Sequence, residues 1–402
     1  MTKERQEEPP ALGRDSRLYV IFGITLIGVM GVAAIAPAFP AIAEQLRLSP
    51  RQTGLLITVF TVPGIVMAPS LGILADRFGR RRIIIPSLLL FALAGCACAF
   101  IPTFEVLLVL RIVQGSGASA LTSMSVTLIG DLYSGERQSA AIGYNASVLS
   151  VGTAVYPALG GVLAGISWQL PFLLSALALP VGAAVALLIP PTGRGHDQSH
   201  SHNQDRKSSA GGQLRQVLRH AAGSGILVLF GLGLLQFILL YGAYMSYVPF
   251  LLSDRFGASS GTTGAVMATM SLATALMASQ NRRVTAGMSL ALRLSAAFVL
   301  IGGALALFVL LPRLLLIPLA AVLYGFGQGI IIPAVQGTIA TRTPLELRAS
   351  TITVNAMAIR IGQTVGPLTA GALYAGLGLN WTFLLAAGLA LAGALAAFLL
   401  QP

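Results

Sequence analysis

Gly72-Ile73-Leu74-Ala75-Asp76-Arg77-Phe78-Gly79-Arg80-Arg81-Arg82 stands between two apolar runs, Gly54–Leu74 and Ile83–Ile101. Gly72 lets the end of the first run pack closely. Asp76 puts an anion at a helix terminus, and Gly79 permits a tight turn. Four arginines lie within the six residues 77–82. Beside a run long enough to cross hydrocarbon, such a cluster marks a loop held on the cytoplasmic side of a membrane. Positive charge alone accounts for the arginines but not for the Gly/Asp/Gly spacing.

Outward from this loop the chain keeps the same grain. Of its 402 residues, 55% are hydrophobic and only 9% charged, with a mean hydropathy of +0.82. A soluble domain carries roughly 25% charged residues because its surface faces water, so most of this surface faces lipid. A span needs ~20 apolar residues. Such runs are Leu18–Pro40, Gly54–Leu74, Ile83–Ile101, Val106–Ile129, Ala140–Leu163, Trp168–Ile189, Ile226–Leu252, Gly261–Ser279, Leu290–Leu311, Leu314–Ile339, Ile352–Leu377 and Trp381–Leu400. The expected fold is an all-α integral membrane protein of twelve transmembrane helices. Its expected parts are a cytoplasmic tail (1–17), a six-helix half (18–190), a polar cytoplasmic linker (191–222) and a second six-helix half (223–402). The linker reads as a flexible stretch with a surface helix around Leu214–Leu218. Its His196, His200 and His202 lack a rigid frame and read as solvated rather than as metal ligands.

The net charge of +12 is not a nucleic-acid signal. With the N-terminus inside, 19 Lys and Arg fall in inner segments and 4 in outer ones, with Arg111 and Arg360 inside spans. That asymmetry predicts both termini and the linker in the cytoplasm of a multi-pass plasma-membrane protein. The first run is long enough to span and has no small-residue cleavage site, so it reads as a retained helix. Cys96 and Cys98, two apart in one run, would point to different faces of a helix, so no disulfide framework is implied.

The halves repeat. Thr53-Gly54 recurs as Thr263-Gly264, Glu136 as Glu346, Gly152 as Gly362, Pro157 as Pro367 and Gly161 as Gly371, each 210 residues on. Two parallel six-helix repeats joined by a polar linker describe halves that rock about a midplane site.

On these residues the chain resembles the major facilitator superfamily, of the twelve-helix drug/metabolite:proton antiporter type, over essentially its whole length. The quoted loop is similar to that family's signature G-x-L-a-D-r-x-G-r-r. The resemblance implies a cytoplasmic charge relay that locks the inner gate in the outward-facing state. Its members here are Asp76, Arg80 and Asp131, within a gate loop of Gly72, Arg77 and Gly79. The second-half equivalent, Gln280-Asn281-Arg282-Arg283, lacks the acid. In the fourth run Arg111-Ile112-Val113-Gln114-Gly115 resembles R-x-x-q-G, which implies an arginine tied to proton or substrate coupling. An arginine inside an apolar helix is costly and must face a cavity or a partner; one that only bonds backbone carbonyls between helices is the alternative. In the fifth run Gly143, Gly152, Pro157, Gly160 and Gly161 resemble the antiporter motif G-x8-G-x3-G-P-x2-G-G, with Tyr156 where glycine is usual. Glycines in steps of four let helices approach closely. Gly31, Pro37 and Pro40 are similar to the G-x5-P-x2-P pattern of twelve-helix exporters. Both resemblances imply efflux.

The eleventh run holds a second buried arginine in Arg360-Ile361-Gly362-Gln363-Thr364-Val365-Gly366-Pro367. In the seventh, Gln236, Leu240, Tyr244 and Tyr247 fall near one helical face with Tyr241 adjoining, suited to a broad amphipathic pocket. Tyr247 serves equally as an interfacial anchor. The candidate substrate and coupling set is Arg111, Gln114, Gln236, Tyr241, Tyr244, Gln328, Arg360 and Gln363.

No acidic residue falls mid-span, whereas the resemblance implies a buried carboxylate in exporters of cationic drugs. Two buried cations stand instead, so the expected cargo is anionic or neutral-amphipathic, such as a siderophore, drug or acidic metabolite. The leading expectation is efflux by proton-coupled antiport with alternating access; an importer or uniporter of an organic anion is the alternative. No catalytic constellation or metal-ligand pair supports an enzyme, and without a G-x4-G-K-[ST] motif the drive is expected to be a proton gradient, with no cofactor. The expected partners are the bilayer and a small-molecule substrate, without nucleic acid, for a monomer.

Overall fold

The computed structural model describes residues 12–101, 103–190, 210–223 and 225–399. Among them every regular element is helical. The face carrying the Arg80–Arg82 loop is called the basic face below, and the opposite one the far face.

The first span comprises α1 (Ser16–Ala33) and α2 (Phe39–Leu46), joined by a 3-10 turn at Ala36–Ala38 around Pro37. The second, α3 (Pro50–Phe78), opens with a capping box in which Ser49 and Gln52 satisfy each other's free backbone N–H. Only Gly79 separates it from the third, α4 (Arg80–Cys98). Its φ of 95° lies where a side chain is strained, which is why the loop needs glycine there.

The fourth span is broken into α5 (Phe104–Ala118) and α6 (Leu121–Leu132), and the fifth is α7 (Gly135–Ile166). The sixth combines α8 (Leu170–Leu173), a 3-10 turn and α9 (Ala178–Leu188). The surface helix α10 (Ala210–Gly223) sits where the sequence placed one, with Val217 and Ala221 buried and Arg215 and Arg219 exposed. The remaining linker residues 191–209, with His196, His200 and His202, lie outside the described residues, as do residues 1–11.

The seventh span runs from α11 (Ile226–Leu239) through a π-helical stretch (Leu240–Tyr247) into α12 (Val248–Phe256). Then follow α13 (Ser260–Val284), α14 (Leu290–Leu310) and α15 (Ile317–Arg342). The last helix, α16 (Leu345–Phe398), has 54 residues, ~80 Å of rise and twice what a bilayer needs. At Gly378 (φ 81°, ψ 175°) its backbone leaves the helical region, within the expected join between Leu377 and Trp381. Among the described residues eleven helices are long and apolar enough to cross a membrane, and this last one supplies two spans. Twelve spans result, and the fold is the all-α membrane architecture expected.

Candidate functional site

Of the residues that repeat at 210, the pairs Gly54/Gly264, Pro157/Pro367 and Gly161/Gly371 join the halves. Gly54 on α3 faces Pro367 on α16, and its counterpart Gly264 on α13 faces Pro157 on α7. Gly161 packs on Gly264 so closely that a Cβ would sit 2.9 Å from the neighbouring Cα. The repeat is therefore the imprint of two pseudo-equivalent seams, α3 on α16 and α7 on α13.

Both seams close on the far-face half of the spans. Along α3 and α16 the Tyr247 hydroxyl donates to the Pro50 carbonyl (3.4 Å) and stacks on Tyr374 at 5.4 Å. Below it Thr58 Oγ1 donates to the Thr364 carbonyl (3.2 Å), and Thr61 Oγ1 pairs with Thr364 Oγ1 (2.9 Å). Deepest lies Arg360, whose Nη2 donates to the Ser119 carbonyl (3.0 Å). Towards the basic face the contact loosens. A Cβ at Gly72 or Gly143 would meet nothing within 4 Å, and a cavity of ≈ 400 Å³ separates α7 from α13 between Ser147 and Ser279. The protein is closed at the far face and parted at the basic face.

Arg360 sits 15 residues into α16, halfway across. It is half-buried, lies against Gly64, and reaches Tyr241 electrostatically. The bond to Ser119 is its one hydrogen bond among the described residues, so of its five donors four have no hydrogen-bond partner there, and Nη1 packs against Gly64. Gln363, one turn on, is half-buried as well.

Arg111 is in a different position from the one expected of a substrate ligand. It is 0% exposed, inside the first half. Its Nε donates to the Leu56 carbonyl (3.3 Å), Nη1 to Gln114 Oε1 (2.7 Å) and Nη2 to the Gly31 carbonyl (2.9 Å). The Phe60 ring lies 4.3 Å from its guanidinium carbon, and Gln114 Nε2 passes the network on to Ser175 (2.9 Å). Each of its three nitrogens donates once, and together with Gln114 they tie the first, second, fourth and sixth spans together. The reading of Arg111 and Gln114 as substrate contacts is corrected to the alternative, an arginine that bonds carbonyls between helices.

The tyrosine face also divides. The π-helical stretch widens the turn, with the Ser246 hydroxyl reaching the Tyr241 carbonyl five residues back. Tyr244, 0% exposed, faces into the second half against Tyr324 (4.8 Å) and Phe308 (5.9 Å), while Tyr247 faces the seam. Gln236 donates to Gln328 below that tyrosine pair. These four form a closed polar cluster in which the Tyr324 hydroxyl lies against Gln328, while the Tyr244 hydroxyl has no partner among the described residues. Of the seventh-span set only Tyr241, half-buried beside Arg360, borders the space between the halves; Tyr247 is neither pocket wall nor interfacial anchor but part of the seal.

At the basic face Arg80 bridges Asp76 and Asp131, its Nε donating to Asp131 Oδ2 at 3.1 Å. Arg77 turns away and lies over the Phe78 ring (5.4 Å). The relay is thus assembled while the basic face is parted. Of the antiporter-motif glycines, Gly152 meets Leu26, Gly160 abuts the Ala34 carbonyl and Gly161 makes the α7–α13 seam. Gly362 and Gly366 abut the seventh span at the Leu234 and Ile238 carbonyls, and Gly143 packs on nothing.

Sequence reasoning missed Thr58, Thr61, Thr364, Ser119 and the buried pair Asn145 and Asn355. The asparagines also stand 210 apart, so the repeat could have found them. Asn145 accepts from Thr25 (2.7 Å), whereas Asn355 Oδ1 is unpartnered.

The family model described as Major Facilitator Superfamily matches residues 21–310 and 281–402. The Bacillibactin exporter of Bacillus subtilis (strain 168) is 32% identical over 162 residues, 39% of this chain and 40% of that protein. The Quinolone resistance protein NorA of Staphylococcus aureus is 26% identical over 158 residues, 39% and 41% of the two chains. The matched region thus spans less than half of these relatives. The crystal structure of nucleoside transporter NupG superposes with a TM-score of 0.75 at 14% identity, covering 98% of this chain and 100% of that one.

Proposed function

The chain belongs to the major facilitator superfamily and is a membrane transporter rather than an enzyme, and from that premise we propose that it exports small anionic or neutral-amphipathic solutes by proton-coupled antiport. The observation that carries this reading is Arg360, a cation well inside a membrane-spanning helix with one hydrogen bond among the described residues and four donors left without one. In a medium of low dielectric an unpaired guanidinium is costly, and a carboxylate or similar anion that pairs with it is bound strongly. The lack of any mid-span acid argues against a cationic cargo. The names of two relatives, a bacillibactin exporter and a quinolone resistance protein, support the outward direction.

The basic face would be cytoplasmic and the membrane the plasma membrane, which makes the present state inward-facing and ready to load. Asp76 and Asp131 at the gate are the candidate proton carriers. The transporter would work as a monomer without a cofactor.

Cells expressing the chain and loaded with candidate anions should lose them faster than cells with an Arg360→Ala variant. A protonophore should abolish the difference. Accumulation of the same anion down an imposed gradient, with no efflux, would instead establish the importer.

A further inference from the structure

The break in the fourth span and the second mid-span arginine meet at one point. Helix α5 ends at Ala118 and α6 begins at Leu121, so the Ser119 carbonyl stands outside both helical ladders. A backbone carbonyl freed inside a membrane must find a donor. The donor it finds is Arg360 from the other half of the molecule, 241 residues away.

Within the α3–α16 seal this bond differs from those above it. The Thr58 and Thr61 hydroxyls can turn back on their own helix when the seam parts, and Thr61 Oγ1 already lies 3.0 Å from the Thr58 carbonyl. In its own half Arg360 has beside it the neutral Tyr241 side chain, a weaker partner than a carbonyl freed from its helix. The bond is also the deepest rung of the seal, at the level where the gap from the basic face begins, so a solute in that gap reaches it first.

We propose that Arg360 is the latch of the far-side gate: its bond to the Ser119 carbonyl holds the two halves shut, and an anionic group that takes the guanidinium releases them. The second limb rests on the anion-export reading; the first does not. Loading would thereby open the exit, and an empty carrier would stay closed to the far side.

Two variants break the contact from opposite ends. Arg360→Gln removes the donor. Gly64→Ala leaves Arg360 in place but adds a Cβ where Arg360 Nη1 now lies, displacing the flexible end of that side chain. The readout is the distance between spin labels at Gln45→Cys and Arg313→Cys, both exposed at the far face, one in each half. The full chain is used in lipid nanodiscs, with Cys96→Ala and Cys98→Ala as background.

Without ligand, each variant should raise the ratio of far-open to far-closed distances by about tenfold, the equivalent of one charge-assisted hydrogen bond at the low end of its range. With saturating 2-naphthoate the unmutated latch should open to a similar degree, while Arg360→Gln should not respond. If both variants keep the parental distance distribution, the latch is overturned. If both open the gate but 2-naphthoate leaves the parental chain closed, the latch stands and release by this anion falls, while the efflux comparison with Arg360→Ala decides separately whether an anion is the cargo.

Discussion

Removing the Arg111 side chain should cost the protein stability and affect transport only through that loss. The magnitude follows from what the guanidinium touches. Three hydrogen bonds at 2.7–3.3 Å from a charged donor contribute ~1.5 kcal/mol each at the low end, and the Phe60 stack about 1 more. Against them stands the desolvation of a cation without an acid partner, several kcal/mol in a dry interior. These nearly cancel, so the charge itself contributes little. What remains for Arg111→Ala is the void, and truncating a long buried side chain costs ~2–4 kcal/mol. On the per-residue unfolding entropy of globular proteins that lowers the melting midpoint of a 402-residue chain by about 2–5 °C. Arg111→Met keeps most of the volume and drops the charge, and should lose about half as much or less. Heating the detergent-solubilised variants and following the monodisperse peak by size-exclusion chromatography measures the order. An Ala variant that melts with the parent but exports no anion would refute the reasoning and return Arg111 to the substrate site.

Three further outcomes test the seams and turns. Gly264→Val places a branched side chain against the Pro157 carbonyl and Gly161, so the far face should be wedged apart; far-side cysteine labelling should rise and transport should fail, and normal transport would speak against the α7–α13 seam. Gly378→Ala puts a Cβ on a residue at φ 81° and should cost about 1–3 kcal/mol, read as lower yield of folded protein. Asp131→Asn should destabilise the basic-face loop by about 1 kcal/mol and Asp76→Asn by less, because Asp76 is 64% exposed and screened by water; equal effects in a thermal-shift comparison would count against that ranking.

Much of this architecture could be read directly because membranes enforce a simple grammar. Apolar length and arginine placement specify the spans, and glycine and proline mark the places where helices must approach or bend. The join at Gly378 and the one-residue turn at Gly79 were legible for that reason. Side-chain destinations were not. Arg111 and Arg360 look alike in sequence, each a lone cation in an apolar run followed by glycines. What separates them is that Gly31, Phe60 and Gln114 gather around one, while the other is left with a single carbonyl from across the gap. Apart from Gln114, one turn away, that difference depends on contacts 51–241 residues distant, which no local pattern encodes. The tyrosine face failed for a local reason: it assumed an α-helical turn, and the π-helical stretch at Leu240–Tyr247 rotates Tyr244 and Tyr247 onto different neighbours.

The two seams come from one duplicated pattern but differ in what opening them breaks. At α7 and α13 the contact is glycine on glycine and on a proline carbonyl, so parting it forfeits dispersion that lipid or another span can replace. At α3 and α16 the same glycine–proline contact is overlaid with Thr58, Thr61, Thr364 and Arg360; of these only Thr61 has a like counterpart 210 residues away, Ser271, whose hydroxyl bonds its own helix instead of the facing one. Parting that seam leaves polar groups without partners in a medium that offers none. The hydroxyls recover on their own helices, so the barrier concentrates on the guanidinium. A symmetric machine is thereby given one asymmetric control point, halfway across the membrane, where a solute arriving from the basic face would meet it.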